Sequence, residues 1–346
     1  MELTSALRRA SLAVFCLVAL APYAGAAGPT GRTVSLLGDL SRFAHVNYQN
    51  GHILLLEVGG THVPGGLPAP ADHSVTVLDG FGRQIFSRAP GAEVPDLRGA
   101  RVQDAALTTT GILVVSTEFW GRDGPIAYAL VQYDIHRGQL IKMVRLNPIT
   151  CLRIATDSAD NIWCLGIDVD KRNAKRKDYD VIYEYSPDGL FQRSLYPAAE
   201  LPSFVFAPKV HTFPQLVASG GRIAAWLPAS DALLVWTADG KIQERFTMAP
   251  RAELAAGIGD ELAVLPGGDI GAFMVSPGLG ASEPVSRREC FHLGGTGELA
   301  SVAFPSAELS VHYQHAGVDG ASIVLWNRFA GTLEWREQAT VAAATN

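Results

Sequence analysis

Six polar side chains recur at one place in a repeating strand pattern. His45, Asp104 and Gln215 each stand 8 residues ahead of the isoleucine that opens the next apolar strand. Arg153 and Glu261 stand 9 ahead of theirs, and His312 begins the last, shortened unit. Gathered into a ring, such residues could hold a cation or a hydrolytic water. The set is mixed: two acids, two histidines, an arginine and an amide. A hard cation wants several oxygens together, so the ring reads more readily as the lining of a wet channel. Asp104, Glu261, His45 and His312 are the candidate catalytic residues, and Arg153 and Gln215 are candidate binding residues.

Three further groups carry chemical interest. Glu118-Phe119-Trp120-Gly-Arg122-Asp123 sets aromatics among charges, as a carbohydrate or peptide contact would, or as a hydrophobic loop plug would. Glu118, Trp120 and Arg122 therefore join the binding candidates. His62, Asp72 and His73 are the candidate metal ligands, but the stretch between them lacks the ligand spacing of a zinc site, and solvated histidines are the simpler reading. No cofactor is expected, with a divalent cation as the exception. Lys171, Arg172, Lys175, Arg176 and Lys177 form a basic knot, by default a solvated loop and otherwise a dock for an anionic partner. The chain has no Gly-x-Ser-x-Gly elbow, phosphate loop, His-Glu-x-x-His helix or Cys-x-x-Cys.

The elements that must position these residues are strands. An apolar strand, a polar tip, a glycine and a second apolar strand recur down the chain, as in Val75-Thr-Val-Leu-Asp79-Gly-Phe-Gly82 and Tyr183-Glu-Tyr185-Ser-Pro-Asp188-Gly189. The turn glycines at 82, 138, 189, 240, 297 and 331 give steps of 56, 51, 51, 57 and 34. A hairpin unit repeating about every 40–50 residues is the mark of a β-propeller. The expected fold is all-β, with about six blades at 41–90, 102–148, 150–197, 213–250, 253–305 and 308–338. The last is short by one strand. Thr33-Val-Ser-Leu-Leu-Gly-Asp39 is expected to join it and close the ring, pairing edges that would otherwise template aggregation.

Residues 1–26 read as a secretory signal: Arg8-Arg9, an apolar stretch from Ala10 to Ala21, and Ala24-Gly25-Ala26 as the cleavage site. The apolar stretch is too short for a bilayer span. Residues 27–346 are then a single domain of 320 residues with 33 acidic and 26 basic side chains, a net charge of −7. That balance argues against nucleic acid and gives no reason to expect an anionic membrane surface as partner. The expected location is secreted or periplasmic, and the expected state monomeric. Cys151, Cys164 and Cys290 remain. Cys151 and Cys164 lie on neighbouring strands in a register a few residues off direct pairing, so a bridge and two buried thiols both stand open.

Asp157-Ser-Ala-Asp160-Asn161-Ile-Trp163 resembles the run joining the two inner strands in six-bladed NHL/TolB-like propellers, with Asp160 where glycine is usual. The resemblance is clearest over residues 150–197 and implies fold, not catalytic residues. The connections are unequal. Glu57 to His73, Thr117 to Ile126, Asp168 to Asp180, Val275 to Arg288 and Tyr196 to Phe213 are long, and in a propeller they open on one face. Long loops are usually functional or disordered. The resulting expectation is a non-catalytic module binding a protein, peptide or glycan through that face. The alternative is a propeller hydrolase or lactonase with a polar or metal site at the channel.

Overall fold

The structure is a computed structural model that describes residues 31–36, 43–58, 73–97, 99–121, 124–201, 214–227, 230, 232–247, 261–276, 287–293, 299–302 and 313–337. The signal segment, His62, Asp72, Arg122 and His312 lie outside the described residues, as do the turn at Gly297 and most of the long connections.

Strands dominate. β1 (Thr33–Ser35), β2 (Phe43–Gln49), β3 (His52–Val58), β4 (His73–Asp79) and β5 (Gln84–Arg88) come first, then a short helix α1 (Pro90–Glu93). β6 (Ala100–Leu107), β7 (Ile112–Gly121), β8 (Gly124–Asp134) and β9 (Gln139–Arg145) follow. Next are β10 (Ile149–Thr156), β11 (Ile162–Asp168), helix α2 (Val169–Asn173), β12 (Asp180–Tyr185) and β13 (Phe191–Pro197). The chain continues through β14 (Gln215–Ser219), β15 (Arg222–Leu227), β16 (Ala232–Thr237), β17 (Gln243–Thr247), β18 (Glu261–Val264), β19 (Ile270–Ser276), β20 (Arg287–Leu293) and β21 (Leu299–Val302). It ends with β22 (Tyr313–Asp319), β23 (Ser322–Asn327) and β24 (Thr332–Glu337).

These strands form five sheets. Sheet B is β6–β9, sheet C β10–β13, sheet D β14–β17 and sheet E β18–β21, each a four-stranded antiparallel meander. Sheet A has eight strands in the order β1-β24-β23-β22-β2-β3-β4-β5. Its two halves meet at one parallel bridge, Tyr48 opposite Gly317. β1 runs antiparallel to β24, with Thr33 opposite Glu334 and Ser35 opposite Thr332.

The turns follow from local chemistry. Asp79 Oδ1 accepts from the amides of Phe81 and Arg83 at 2.9 Å each, and Asp134 Oδ1 does the same for His136 and Arg137. Such short side chains satisfy the tip of a hairpin. Gly240 sits at φ +71°, and the space where a Cβ would stand holds the Arg193 guanidinium, which donates to the carbonyls of Ala238 and Asp239 at 3.0 Å. The turn at Gly331 corrects the sequence reading. It joins β23 to β24, and β24 is followed in the sheet by β1, so this turn connects second and third strands rather than third and fourth. That accounts for the 34-residue step.

The core fills the spaces between successive sheets. Leu54, Val75, Val77 and Phe86 of sheet A pack on Val102, Leu113, Val131 and Tyr133 of sheet B. Leu130 and Tyr128 of B meet Ile162, Cys164 and Tyr183 of C. Trp163 of C and Trp236 of D lie 5.5 Å apart and tilted. Trp226 of D packs on Ile270 of E, and Leu265 of E on Ile323 and Leu325 in the far half of sheet A. Each apolar face is thereby buried by the next sheet.

Cys151 and Cys164 are disulfide-bonded, with Cα atoms 5.4 Å apart. They are not directly opposite: Cys151 faces Gly166 and Cys164 faces Ile154, with a bulge between Cys151 and Arg153. Gly166 is required there, because a Cβ would stand 2.3 Å from the Thr150 carbonyl oxygen. Two expected loops are partly regular. Thr117 to Ile126 is mostly hairpin, since β7 reaches Gly121 and β8 starts at Gly124. The Asp168 to Asp180 segment contains α2, capped by Asp168, whose Oδ1 accepts from the Lys171 amide at 3.0 Å.

Candidate functional site

The ring positions fall on the first strand of each sheet. His45 lies opposite Leu56, Asp104 opposite Ser116 and Arg153 opposite Leu165. Gln215 lies opposite Trp226 and Glu261 opposite Phe273. A shared role emerges at once. Asp104 Oδ2 accepts from the Ile154 amide at 2.9 Å, Gln215 Oε1 from the Leu262 amide at 2.5 Å, and Glu261 Oε2 from the His315 amide at 3.0 Å. Arg153 Nε donates to the Pro214 carbonyl at 3.0 Å. Each side chain reaches forward to the first strand of the following sheet, so four of the candidates act as clasps between sheets. Buried backbone groups must be paired, and these side chains pair them where no ladder partner exists.

His45 differs. Among the described residues its imidazole has no hydrogen-bond partner. Burial, reinforced by the Arg153 charge, pushes it down to about 3, so it is neutral at physiological pH. Burial raises Asp104 above the ordinary carboxyl range, against the pull of Arg153 and of the amides of Ile154 and Ala105. His45 belongs to sheet A and Arg153 to sheet C, with sheet B between them, yet the guanidinium acts on both His45 and Asp104. Of these residues, Asp104 is tied directly to the strand that carries Arg153, through the Ile154 amide. Ser116, facing Asp104, donates from its Oγ to the Cys151 carbonyl.

The other candidates are dispersed. Glu118 is buried on β7 and accepts from Gln103 Nε2. Gln103 is the extra residue of the β6 bulge, a position not visible in the sequence. The Tyr128 hydroxyl, facing Glu118 across the ladder, is pushed up by burial and then by the Glu118 charge. Trp120 lies opposite Pro125 near the hairpin tip. His73 is buried at the start of β4, opposite Val58. Among the described residues, no group of three His, Cys, Asp or Glu side chains is arranged to hold a metal ion.

The basic knot is interleaved with acids. Arg176 pairs with Asp178, Lys171 approaches Asp168 at 3.9 Å and donates to the Asp178 carbonyl at 2.7 Å. Lys177 Nζ reaches the Leu201 carbonyl at 3.4 Å. Asp168 ahead of Val-Asp-Lys-Arg-Asn is a helix-start signal that the charge reading passed over.

No family model and no curated protein matches the sequence. Among solved structures the chain is similar to Kuenenia stuttgartiensis hydrazine synthase, at 15% identity over 87% of this chain and 78% of that one, with a TM-score of 0.50. It is also similar to the WD40 repeats of RRP9, at 9% identity over 85% of this chain and 90% of that one, again with a TM-score of 0.50. The fold is a β-propeller. Identities this low show the fold alone. In a propeller the first strands surround the central channel, and His45, Asp104, Arg153, Gln215 and Glu261 each lie on the first strand of their sheet or half-sheet. Among the described residues, no helix is long and apolar enough to cross a membrane.

Proposed function

We propose that this chain is an exported, non-catalytic propeller of six blades that binds a protein, peptide or glycan on its long-connection face. Blade one is β2–β5, and sheets B to E supply the next four. β22–β24 form the last with β1, whose pairing to β24 closes the ring. The order of the core clusters, running from sheet A through E and back to A, supports closure. The Asp157 to Trp163 run supports an NHL/TolB-like relationship. Residues 1–26 are the secretory leader, and the Cys151–Cys164 bond suits a secreted or periplasmic location, because structural disulfides persist in oxidising compartments. A mildly acidic, monomeric module without nucleic-acid or membrane partners completes the reading.

One observation carries the binding face. Connections between second and third strands hold the β7–β8 extension and α2, whereas first-to-second turns such as Asn50-Gly51 are tight. Binding residues concentrate on loops mounted on a rigid scaffold. The hydrolase reading needs oxygens converging on a cation or water, and an oxygen of each of Asp104, Gln215 and Glu261 is engaged by a neighbouring amide.

Capture from the native exported fraction tests the face. The full mature chain is the bait, beside a variant with residues 119–126 replaced by Asn-Gly and one with Arg172 and Arg176 changed to Glu. A third variant, Phe81→Ser with Leu190→Ser, alters the opposite turns. A partner should be retained by the parent and the third variant and lost from the first two. Equal recovery by all four would overturn the proposal.

A further inference from the structure

β1 is held lightly by its ladder. It forms one edge of sheet A and, among the described residues, pairs with β24 alone. The register runs from Thr33 opposite Glu334 to Ser35 opposite Thr332. One further bond lies beyond each end: the Trp335 amide donates to the Arg32 carbonyl and the Leu36 amide to the Gly331 carbonyl, both at 2.8 Å. A strand this short is marginal by itself, so its side chains must seat it.

Each seat is specific. Gly31 lies so close to β24 that a Cβ would stand 2.4 Å from the Trp335 carbonyl oxygen. Arg32 is stacked on two rings, its guanidinium carbon 4.3 Å from the Trp335 centroid and 4.8 Å from that of Phe81. Its Nη1 stands 3.9 Å from Asp319 Oδ2. Val34 fills the space left by Gly82 at φ +85°, where a Cβ would meet its Cγ1 at 2.6 Å. Val34 and Leu36 are buried in one cluster with Leu333 and Trp335, while Thr33 and Ser35 are exposed. The pattern that fits is Gly-Arg-x-Val-x-Leu.

The receiving side is organised without β1. Asp319 Oδ2 accepts from the Tyr48 hydroxyl at 2.8 Å and from Trp335 Nε1 at 2.9 Å. Tyr48 and Trp335 meet edge to face at 5.3 Å. Two aromatic faces beside a fixed carboxylate make a guanidinium site. The fit of Arg32 is incomplete, since its Nη2 is buried with no hydrogen-bond partner among the described residues. Release returns that donor to water, which offsets part of the lost stacking.

We propose that the edge of β24, with Phe81, Trp335 and Asp319, is an exchangeable strand-binding site whose partner is residues 31–36 of a second copy of this chain. The occupant already seated there has that sequence. Ala27 to Leu36 also holds one cation and no acid in a chain of net charge −6, so charge favours its approach to another copy. Strand addition at a sheet edge and exchange of an identical element between protomers are both established modes of association. Dilute protein keeps the segment in cis, because tethering gives it an effective concentration on the order of millimolar. Exchange belongs to concentrated protein.

The test uses the full mature chain. An acetylated, fluorescein-labelled peptide of residues 31–36 is titrated by anisotropy against the parent and against Arg32→Met. That variant loosens the tethered strand and leaves the receiving side intact, so it should bind the peptide roughly tenfold more tightly than the parent does. The same peptide carrying Arg32→Met should bind the variant chain roughly tenfold more weakly. Exchange between copies is read by sedimentation of two chains mixed. One is Arg32→Met, and the other is Phe81→Ser with Asp319→Asn, which keeps the strand and loses the site. The mixture should form a 1:1 dimer that neither chain forms alone. Near-UV circular dichroism checks that each chain is folded, and Phe81→Ser by itself, at a largely exposed side chain, replaces the double variant if that one is not. No uptake of the peptide by folded Arg32→Met, equal uptake of the two peptides, or no mixed dimer overturns the proposal. Partner capture on the long-connection face expects Phe81→Ser to keep its partner, so the two readings fall separately.

Discussion

Asp157→Ala offers the sharpest test of how the third blade is held. Asp157 Oδ1 accepts from the amides of Ala159 and Asn161 at 2.9 Å each. Its Oδ2 accepts from Asn161 Nδ2 at 3.1 Å and from Trp163 Nε1 at 3.0 Å. Trp163 is completely buried, so removing the carboxylate leaves an indole N–H with no partner and no water, at about 1–3 kcal/mol. The turn amides are more exposed, and their loss adds about 1 kcal/mol together. The expected total is about 3 kcal/mol, or a melting-temperature drop of roughly 6 °C at the slope of a large domain. Asp157→Asn keeps the Oδ1 acceptor but turns an NH2 group toward the indole N–H, so it should show the buried share without the turn share. Combining Asp157→Ala with Trp163→Phe removes the stranded donor and should recover part of the deficit, a coupling that a double-mutant cycle isolates. Thermal unfolding followed by tryptophan fluorescence reads the parent, Asp157→Ala, Asp157→Asn, Trp163→Phe and the double variant. A variant Asp157→Ala melting within about 1 °C of the parent would refute the reasoning, since no buried donor could then have been stranded.

Further outcomes follow from other contacts. Replacing Cys151 and Cys164 by Ser should lower stability by at most about 3 kcal/mol, the chain-entropy figure for so short a loop; alkylation of residues 27–346 after denaturation without reductant should label only Cys290. Arg193→Met removes a partner from the buried Glu184 and two bonds to the next blade's turn, and should cost about 3–5 kcal/mol in chemical denaturation; Glu184→Gln in the same chain should restore part of it. Acid sensitivity should trace to His45. The fold keeps it neutral to about 3 while the unfolded chain protonates it near 6.5, so the unfolded state binds the extra proton and stability falls as pH drops from about 6.5 toward 3. Asp104 carries the opposite sign: its raised folded value gives stability that is present at low pH and lost as pH rises. Denaturation midpoints between pH 7 and 4 should be flatter for His45→Gln than for the parent.

Hairpins were legible because their chemistry is local. A glycine at positive φ and an Asp that binds its own turn announce themselves within a few residues, as at Asp79 and Gly240. The same locality misled at Gly331, since a turn does not say which strands of a sheet it joins. The spacing of 8 or 9 residues finds a first strand at each described position, because it counts from one strand to its neighbour. What the spacing left open was the bulges, which depend on register, and register is set by partners in the next strand. Cys151 shows this directly: its facing residue is Gly166, yet its disulfide partner is Cys164, two residues away along β11. Glu118-Phe119-Trp120 does not alternate cleanly between apolar and polar, so the sequence carries no strand signal where the β7–β8 hairpin extends.

The clasps share a direction, and that direction separates scaffold from site. On the first strands, Asp104, Arg153, Gln215 and Glu261 each bind the backbone at the start of the following sheet. At the rim, Arg88 donates to the Gly138 carbonyl at 2.8 Å, Lys142 meets Asp188 at 3.1 Å, and Arg193 holds the turn at Gly240. Arg32 repeats the device at the seam of sheet A, stacked 4.3 Å from Trp335 and 4.8 Å from Phe81. Three of the four first-strand clasps accept from strand amides and Arg153 donates to a carbonyl, whereas the turn clasps are all cations. Both sets are occupied by holding neighbours, and between them lies apolar core. A polar group that holds no neighbour therefore stands out against this pattern. Among the described ring residues His45 is such a group, since its imidazole holds no backbone of the following sheet.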